Sequence, residues 1–258
     1  MVVVAIIEIA VSIVLMIYLL KQKTGTKYSA GAVIKFVGFG ALALISGLAI
    51  SLLANFNLHW LDGKNPILYG LFAAFVTAAI FEEVIKYIFF RLSLIKNKGA
   101  VNHLDVIIGA ALVGIGFTIA ENIEYAIGGA GNILRALLPM HILFQLVMGY
   151  FYGKALVTKK WIYHVLSIAA PVVLHGLFDM PIICEKAVLG DVGTGQFTNE
   201  YISSLSYGSY LIPLFVALIL VSACMLALFI ILLVKVGKWS KAGKMQELLR
   251  AGEQGTNE

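Results

Sequence analysis

Long apolar stretches alternate with short polar connections along this chain of 258 residues. Seven stretches come close to or exceed the roughly 20 residues that an α-helix needs to cross about 30 Å of hydrocarbon. They cover residues 2–20, 32–53, 67–92, 104–127, 136–157, 161–182 and 209–234. The pattern predicts an all-α fold, that of a polytopic membrane protein with about seven transmembrane helices that passes repeatedly through the cell membrane.

The composition narrows the class further. Hydrophobic residues make up 60% of the chain and charged residues 13%, whereas a soluble domain carries about 25% charged residues. So little polar sequence separates the apolar stretches that we expect one integral membrane domain over residues 1–258, embedded in the lipid bilayer. The net charge of +5 comes mostly from basic residues in the connections, so no nucleic-acid partner is expected.

Lysine and arginine residues gather in every second connection. They follow the first, third, fifth and seventh stretches, as Lys21, Lys23, Lys27, Lys96, Lys98, Lys159, Lys160 and the basic residues of the tail 235–258. Because cytoplasmic loops carry the excess of basic residues in membrane proteins, this pattern predicts a cytoplasmic C-terminus and an N-terminus outside. An odd number of spans places the two termini on opposite sides of the membrane, which agrees with this orientation.

Three polar motifs interrupt the apolar stretches. They are Glu82-Glu83-x-x-Lys86, Phe117-x-x-x-Glu121 and His175-x-x-x-Asp179. Residues four apart lie on one helical face. Each of the pairs Glu82 and Lys86, Phe117 and Glu121, and His175 and Asp179 therefore shares a face of its own helix. Ionisable residues within membrane spans mark sites that face the protein interior or a water-filled cavity. Carboxylates, an imidazole and an ammonium are the groups that general acid–base hydrolysis uses. The motifs therefore predict a hydrolytic centre in a helical core at about 67–182.

The charges in these spans do not balance. Apart from Asp105 at the very start of the fourth span, five carboxyl groups accompany a single lysine, Lys86, in the third, fourth and sixth spans: Glu82, Glu83, Glu121, Glu124 and Asp179. In a low dielectric some of them must be protonated, paired with His175, hydrated or bound to a metal.

A metal-dependent centre is therefore one alternative. A divalent metal held by Glu82, Glu121, His175 and Asp179 would keep a position open for water. The chain has no H-E-x-x-H motif, and a second nitrogen ligand would have to come from His141. The sequence favours hydrolysis without a cofactor.

The three motifs, in this order on successive helices, resemble those of the PrsW-type glutamic intramembrane proteases. These belong to a superfamily that includes the type II CAAX prenyl endopeptidases. The likeness covers about residues 67–182 and extends to Gly114-x-Gly116-Phe117, Glu121-Asn122-x-x-Tyr125 and His175-Gly176. The resemblance implies an intramembrane endopeptidase that hydrolyses a peptide bond in or near the transmembrane segment of a membrane-bound protein. It also implies a glutamate-activated water, and a signalling regulator such as an anti-sigma factor as the substrate.

The resemblance also implies a role for each carboxylate of the first two motifs. Glu82 and Glu83 would activate the water, with Glu82 favoured as the general base, and Lys86 would hold their charge and geometry. Glu121 stands where the prenyl endopeptidases carry a histidine, and it would help to bind the water or the oxyanion. That difference argues against prenylated protein ends as the substrate.

The third motif completes the implied set. His175 would donate a hydrogen bond to the oxyanion or a proton to the leaving amine, and Asp179 would orient it, as a triad carboxylate orients its imidazole. Asn122, Tyr125 and His141 are candidate supporting residues.

A non-catalytic function is the other alternative. The same superfamily contains the scaffold subunit of gamma-secretase, which implies that such a fold can serve as a membrane scaffold or binding subunit. A scaffold would keep polar contacts between helices but lose catalytic acids. Because this chain has all the acids of the protease pattern, an enzyme is favoured.

The predicted orientation can be tested with reporter fusions. A fluorescent protein fused after Glu258 is expected to fluoresce, and alkaline phosphatase at the same position is expected to be inactive, because the basic tail keeps this end in the cytoplasm. Fusions within the segment 183–208, between the sixth and seventh stretches, serve as the control and are expected to behave in the opposite way. The same phosphatase activity at both positions would contradict the orientation.

Overall fold

The computed structural model describes residues 2–22, 28–56, 65–96, 102–128, 138–189 and 207–255. Within these ranges every regular element is a helix, which confirms the all-α prediction. The basic residues Lys23, Lys27 and Lys98, on which the orientation partly rests, lie outside the described ranges. The orientation therefore stays a prediction.

Most of the helices follow the predicted spans. In chain order they are α1 (Val2–Leu20), α2 (Ala30–Phe56), α3 (Pro66–Phe72), a π-helical segment (Ala73–Ile80), α4 (Phe81–Lys96), α5 (His103–Gly128), α6 (Met140–Thr158), α7 (Ile162–Leu189), a 3-10 turn (Gly208–Tyr210) and α8 (Leu211–Gly255). The elements α3, the π segment and α4 follow one another without a break and form the third span. The chain is thus a polytopic helical membrane protein.

Among the described residues, six helical stretches are long and apolar enough to cross a membrane, and they correspond to six of the seven predicted spans. The remaining predicted span, 136–157, is the 19-residue helix α6. Its polar residues His141, Gln145 and Lys154 lower its hydropathy. Because the first ten residues of α6 are all buried, this helix lies inside the bundle, where polar side chains can find partners.

Helices α5 and α6 form the centre of the bundle. In α5, 83% of the apolar window is buried, against 22% in α1. Helix α5 packs against α1, α2, α4 and α6, and α6 also packs against α7. The outer helices α1 and α8 expose large apolar side chains, among them Val3, Val14, Ile212, Phe215 and Leu220. An apolar surface of this size suits lipid, whereas in water it would promote association.

Glycines let the backbones of α2 and α5 touch. A Cβ atom on Gly40 of α2 would overlap the carbonyl oxygen of Val113, and one on Gly116 of α5 would overlap the carbonyl oxygen of Val37. Small residues at such crossings allow close van der Waals packing, which drives helix association within membranes. The crossing lies beside Phe117 of the second polar motif, so it fixes the position of that motif against α2.

The third span changes its helical geometry just before the first polar motif. It begins at Pro66 after Asn65, whose side-chain oxygen accepts hydrogen bonds from the backbone N–H groups of Ile67 (2.9 Å) and Leu68 (3.1 Å). The π segment then ends at Ile80, two residues before Glu82. Such segments are rare in helices and often occur at functional sites. The ring of Phe75 in this segment occupies the space that a side chain on Gly176 would need, which brings the π segment close to α7 beside His175.

The final helix extends well beyond the last predicted span. Helix α8 has 45 residues, a length of about 68 Å at 1.5 Å per residue, which is more than twice the thickness of the hydrocarbon core. The tail from residue 235 to 255 is therefore a continuation of the spanning helix. The sequence predicts a span that ends at 234 and a separate tail, because the charge pattern changes there.

The α2–α5 crossing predicts a contrast between two neighbouring glycines. Gly40→Ala is expected to lower the free energy of unfolding by about 1–3 kcal/mol, the usual cost of overpacking, because the added methyl group meets the backbone of α5. Gly38→Ala is the matched control, since no atom lies within 4 Å of the added Cβ. Thermal denaturation in detergent measures both. Equal melting temperatures for the two variants would contradict the close approach.

Candidate active site

The three polar motifs converge in one buried cluster. Helix α4 contributes Glu82, Glu83 and Lys86, α5 contributes Phe117 and Glu121, α6 contributes His141 and Gln145, and α7 contributes His175 and Asp179. Apart from Glu82, whose side chain is 18% exposed, every one of these residues is buried. The convergence that the sequence only suggested is therefore present in the fold.

Lys86 lies at the centre of the cluster. Its Nζ is 2.8 Å from Oε1 of Glu83, 3.2 Å from Oε2 of Glu82 and 3.0 Å from Nδ1 of His141. An ammonium group has three N–H donors and no acceptor, so these three atoms match its protons one to one. Lys86 is completely buried, and its partners come from its own helix and from α6.

An aromatic ring completes the surroundings of this ammonium. Nζ of Lys86 lies 3.5 Å from the centroid of the Phe117 ring, within the distance at which a cation is attracted to the face of an aromatic ring. Phe117 and Glu121 are one helical turn apart, so this motif places a ring under the lysine and a carboxylate beside His141. The motif Phe117-x-x-x-Glu121 thus contacts two residues of the cluster, Lys86 through the ring and His141 through the carboxylate.

The contacts of His141 indicate its tautomer. Its Nε2 lies 2.8 Å from Oε2 of Glu121, and its Nδ1 faces Nζ of Lys86. Because an ammonium can only donate, Nδ1 accepts and Nε2 carries the hydrogen that points to Glu121. A continuous hydrogen-bond chain therefore runs from Glu121 through His141 to Lys86. Tyr125 extends it, since its hydroxyl donates to Oε1 of Glu121 at 3.0 Å.

Glu83 is held from three directions. Its Oε1 lies near Lys86 and 3.0 Å from Nδ1 of His175, and its Oε2 accepts a hydrogen bond from Nε2 of Gln145 at 2.9 Å. On the other side of the imidazole, Nε2 of His175 is 3.1 Å from Oδ2 of Asp179. The His175 ring also stacks on Phe144 with a centroid separation of 5.1 Å. These contacts fix Glu83 and His175 tightly.

Glu82 is the more available of the two adjacent glutamates. Its Oε2 contacts Lys86 at 3.2 Å and is 3.9 Å from Nε2 of His175. In the described part of the chain, its Oε1 has no hydrogen-bond partner. Glu82 therefore combines an anchored oxygen with an oxygen that can bind another molecule.

The remaining predicted residues lie at different distances from the centre. Tyr125 reaches the cluster only through Glu121, and the side chain of Asn122 donates to the backbone oxygen of Thr118 in its own helix. Glu124, one of the five carboxylates counted in the sequence, is exposed. The five carboxylates are thus not all confined to one low-dielectric site.

Gln145 is the member of this buried cluster that the sequence interpretation missed. It is fully buried, it donates to Glu83, and its Oε1 has no partner in the described structure. Its signal in the sequence is its spacing, because it follows His141 by four residues and so shares that helical face. An amide in an apolar span gave no indication of a carboxylate partner 62 positions away.

Comparison with known proteins adds to this geometry. The family model described as PrsW family intramembrane metalloprotease matches residues 29–221, about three quarters of the chain. The chain belongs to the PrsW family of intramembrane proteases.

Individual PrsW relatives agree with this assignment. Protease PrsW of Clostridioides difficile is 32% identical over 165 residues, which is 59% of this chain and 67% of the relative. Protease PrsW of Bacillus subtilis is 34% identical over 119 residues, 43% of this chain and 54% of the relative. Protease PrsW of Halalkalibacterium halodurans is 31% identical over 170 residues, which is 63% of this chain and 74% of the relative. The chain thus spans between about half and three quarters of the length of these relatives. No solved structure matches the chain.

The metal that the family description implies has a set of donors in this PrsW chain. Ligand atoms of Glu82, Glu83, His141 and His175 all lie within 4.8 Å of one another. This set differs from the predicted set because Glu121 and Asp179 contact the histidines from outside. Carboxylates that hydrogen-bond to histidine ligands in this way are typical of metal centres. By donor type and spacing, the cluster could hold a divalent ion.

The position of Lys86 does not fit that ion. Three of the four donor residues already surround its Nζ at 2.8–3.2 Å. Two unit charges 4 Å apart interact by about 4 kcal/mol at an effective dielectric of 20, so a divalent ion beside the ammonium would be repelled by about twice that. The residues as arranged do not accommodate both cations.

Two buried amides provide a test of the cluster. Gln145→Leu is expected to lower the free energy of unfolding by about 1–3 kcal/mol, because it leaves Oε2 of Glu83 buried without its donor. Asn122→Leu is the matched control, and a smaller loss is expected because its amide bonds only to its own helix. Melting temperatures in detergent compare the two. An equal or larger loss for Asn122→Leu would contradict the role given to Gln145.

Proposed function

We propose that this PrsW chain is an intramembrane endopeptidase in which Glu82 activates the hydrolytic water. The observation that carries the proposal is the contrast between the two glutamates. Glu83 is enclosed by Lys86, Gln145 and His175, whereas Glu82 is partly exposed and has Oε1 available. A general base must reach both the water and the substrate, and Glu82 meets that requirement.

The gap between Glu82 and His175 suits a water molecule. The separation of 3.9 Å between Oε2 of Glu82 and Nε2 of His175 is too long for a direct hydrogen bond. A water oxygen can lie about 2.8 Å from both of these atoms at once, which is an ordinary hydrogen-bond distance. We place the nucleophile there, within reach of a carboxylate that accepts its proton and against the edge of the His175 ring.

The reaction then follows from the groups around this water. Glu82 takes a proton as the water oxygen bonds to the scissile carbonyl carbon, and the carbonyl electrons move onto the oxygen. The positive charge of Lys86, whose three N–H groups already have acceptors, stabilises that oxyanion through space, and electrostatic stabilisation of this kind is usually the largest contribution to catalysis. When the C–N bond breaks, the leaving nitrogen takes the proton back from Glu82. The products are a new carboxyl end and a new amine end.

The other polar residues position these groups. Asp179 accepts from His175 and sets the direction of its ring, while Gln145 holds Glu83. Glu121 acts through His141, which it contacts at 2.8 Å, and we assign it to positioning rather than to direct binding of the water. Preorganised groups of this kind cost no reorganisation during the reaction.

The location of the site supports one class of substrate. A centre enclosed by four membrane-associated helices meets polypeptide that is itself in the membrane, so we propose a membrane-embedded protein cleaved in or beside its transmembrane segment. The family membership supports regulated proteolysis of a membrane-bound signalling regulator as the purpose. A non-catalytic scaffold is the second candidate, and the complete set of acids in one buried cluster disfavours it.

Comparison of membrane-protein fragments in cells tests the proposal. Cells making the wild type are expected to contain new N-termini in or next to transmembrane segments. Glu82→Gln is expected to reduce their formation by at least about 100-fold, the usual contribution of a general base, without loss of thermal stability. Glu83→Gln is expected to reduce both cleavage and stability, because Glu83 is fully buried among three partners.

Glu124→Gln is the control for this experiment, since Glu124 lies exposed on α5. It is expected to retain wild-type cleavage at matched protein levels. If folded Glu82→Gln yields the same fragments as the wild type, Glu82 is not the base. If the wild type yields no fragments that the Glu82→Gln cells lack, the scaffold function replaces the enzymatic one.

A further inference from the structure

The centre of the cluster has room for a single cation. Zinc binds nitrogen and oxygen ligands at about 2.0–2.2 Å. Oε2 of Glu82, Oε1 of Glu83 and Nδ1 of His141 all surround Nζ of Lys86 at 2.8–3.2 Å. A metal bonded to these same three atoms would have to lie close to the position of Nζ. The lysine and a metal therefore compete for one place.

We infer that Lys86 is the resident cation of this site and that its ammonium occupies the place a divalent metal would otherwise take. The family description names a metalloprotease, and the geometry of this chain departs from it at that point. The inference deepens the proposed function and rests on it for the role of the site. The position of Lys86 does not depend on that function. In this chain the ammonium holds the two glutamates and His141 in place of a metal.

The surroundings favour a fixed ammonium over a mobile one. Lys86 is completely buried, its three donors have three acceptors, and the Phe117 ring lies against its free side at 3.5 Å. A lysine that leaves to make room for a metal would have to give up these contacts together. It would also need another buried partner, because an unpaired buried charge is strongly destabilising.

Removal of this ammonium is expected to create a metal site. Without Lys86 the cluster keeps two carboxylates and two imidazoles with ligand atoms within 4.8 Å of one another. It also keeps Glu121 against His141 and Asp179 against His175, the outer contacts that orient histidine ligands. The cluster then lacks the positive charge of Lys86. A divalent ion is the group that would replace the lost one.

Metal binding by purified full-length protein tests the inference. Wild type, Lys86→Ala and Lys86→Met are loaded with zinc in detergent, dialysed against metal-free buffer and analysed for zinc by mass spectrometry. The wild type is expected to retain well below one zinc per chain, and the Lys86 variants about one, as in a four-ligand site. Chelator competition is expected to give zinc affinities at least about 100-fold higher in the variants, or about 2.8 kcal/mol at 1.4 kcal/mol per tenfold.

Two controls tie the metal to this cluster. Lys154→Ala removes a lysine outside it, one that lies over the Tyr150 and Tyr163 rings, and is expected to bind no more zinc than the wild type. The double variant Lys86→Ala with His141→Ala is expected to lose the gained zinc. Cobalt in place of zinc provides a second measurement, since nitrogen ligation changes its visible spectrum. Zinc is also expected to raise the melting temperature of Lys86→Ala and not that of the wild type.

Two results would overturn the inference. One is a wild-type protein that holds one zinc per chain and loses it on His141→Ala, because the lysine would then not exclude the metal. The other is a folded Lys86→Ala or Lys86→Met protein that binds no zinc. These measurements use no substrate, so a failure of the wild type to cleave membrane proteins would count against the proposed function alone.

Discussion

The buried ammonium of Lys86 is the interaction on which the rest of the site depends. It joins Glu82 and Glu83 of α4 to His141 of α6, and it lies on the Phe117 ring of α5. Two adjacent carboxylates cannot stay close together in a low dielectric without a positive charge between them. With that charge present, the two glutamates are fixed in different surroundings, one enclosed and one partly open.

The fold provides this site by bringing helix backbones close together. Gly40 and Gly116 let α2 and α5 touch, and Gly176 leaves space for Phe75 of the π segment. Packing in a membrane cannot use the hydrophobic effect between helices and relies on such close contacts and on buried hydrogen bonds. The polar cluster and the glycine contacts are thus complementary, since the glycines bring the helices together and the hydrogen bonds specify their register.

Sequence patterns predicted most of the fold and most of the residues that meet in the polar cluster. The apolar stretches gave the helices, and the three motifs gave Glu82, Glu83, Lys86, Glu121, His175 and Asp179. The patterns did not give the partners, because hydrogen bonds between positions 55 to 92 apart depend on how helices rotate against each other. Gln145 was missed for this same reason. The metal-donor set also differs for this reason: the sequence suggested Glu82, Glu121, His175 and Asp179, whereas the structure groups Glu82, Glu83, His141 and His175.

The sequence by itself determined that this is a multi-pass helical membrane protein with a polar centre of protease type. Hydropathy and spacing are local properties, and a bilayer allows a spanning chain few structures other than helices. Only the tertiary structure decided that Glu121 and Asp179 serve the two histidines and that a lysine fills the middle of the cluster. Which atom of each side chain faces which neighbour depends on helix packing, and α4 and α6 had to meet before the ammonium had its three acceptors.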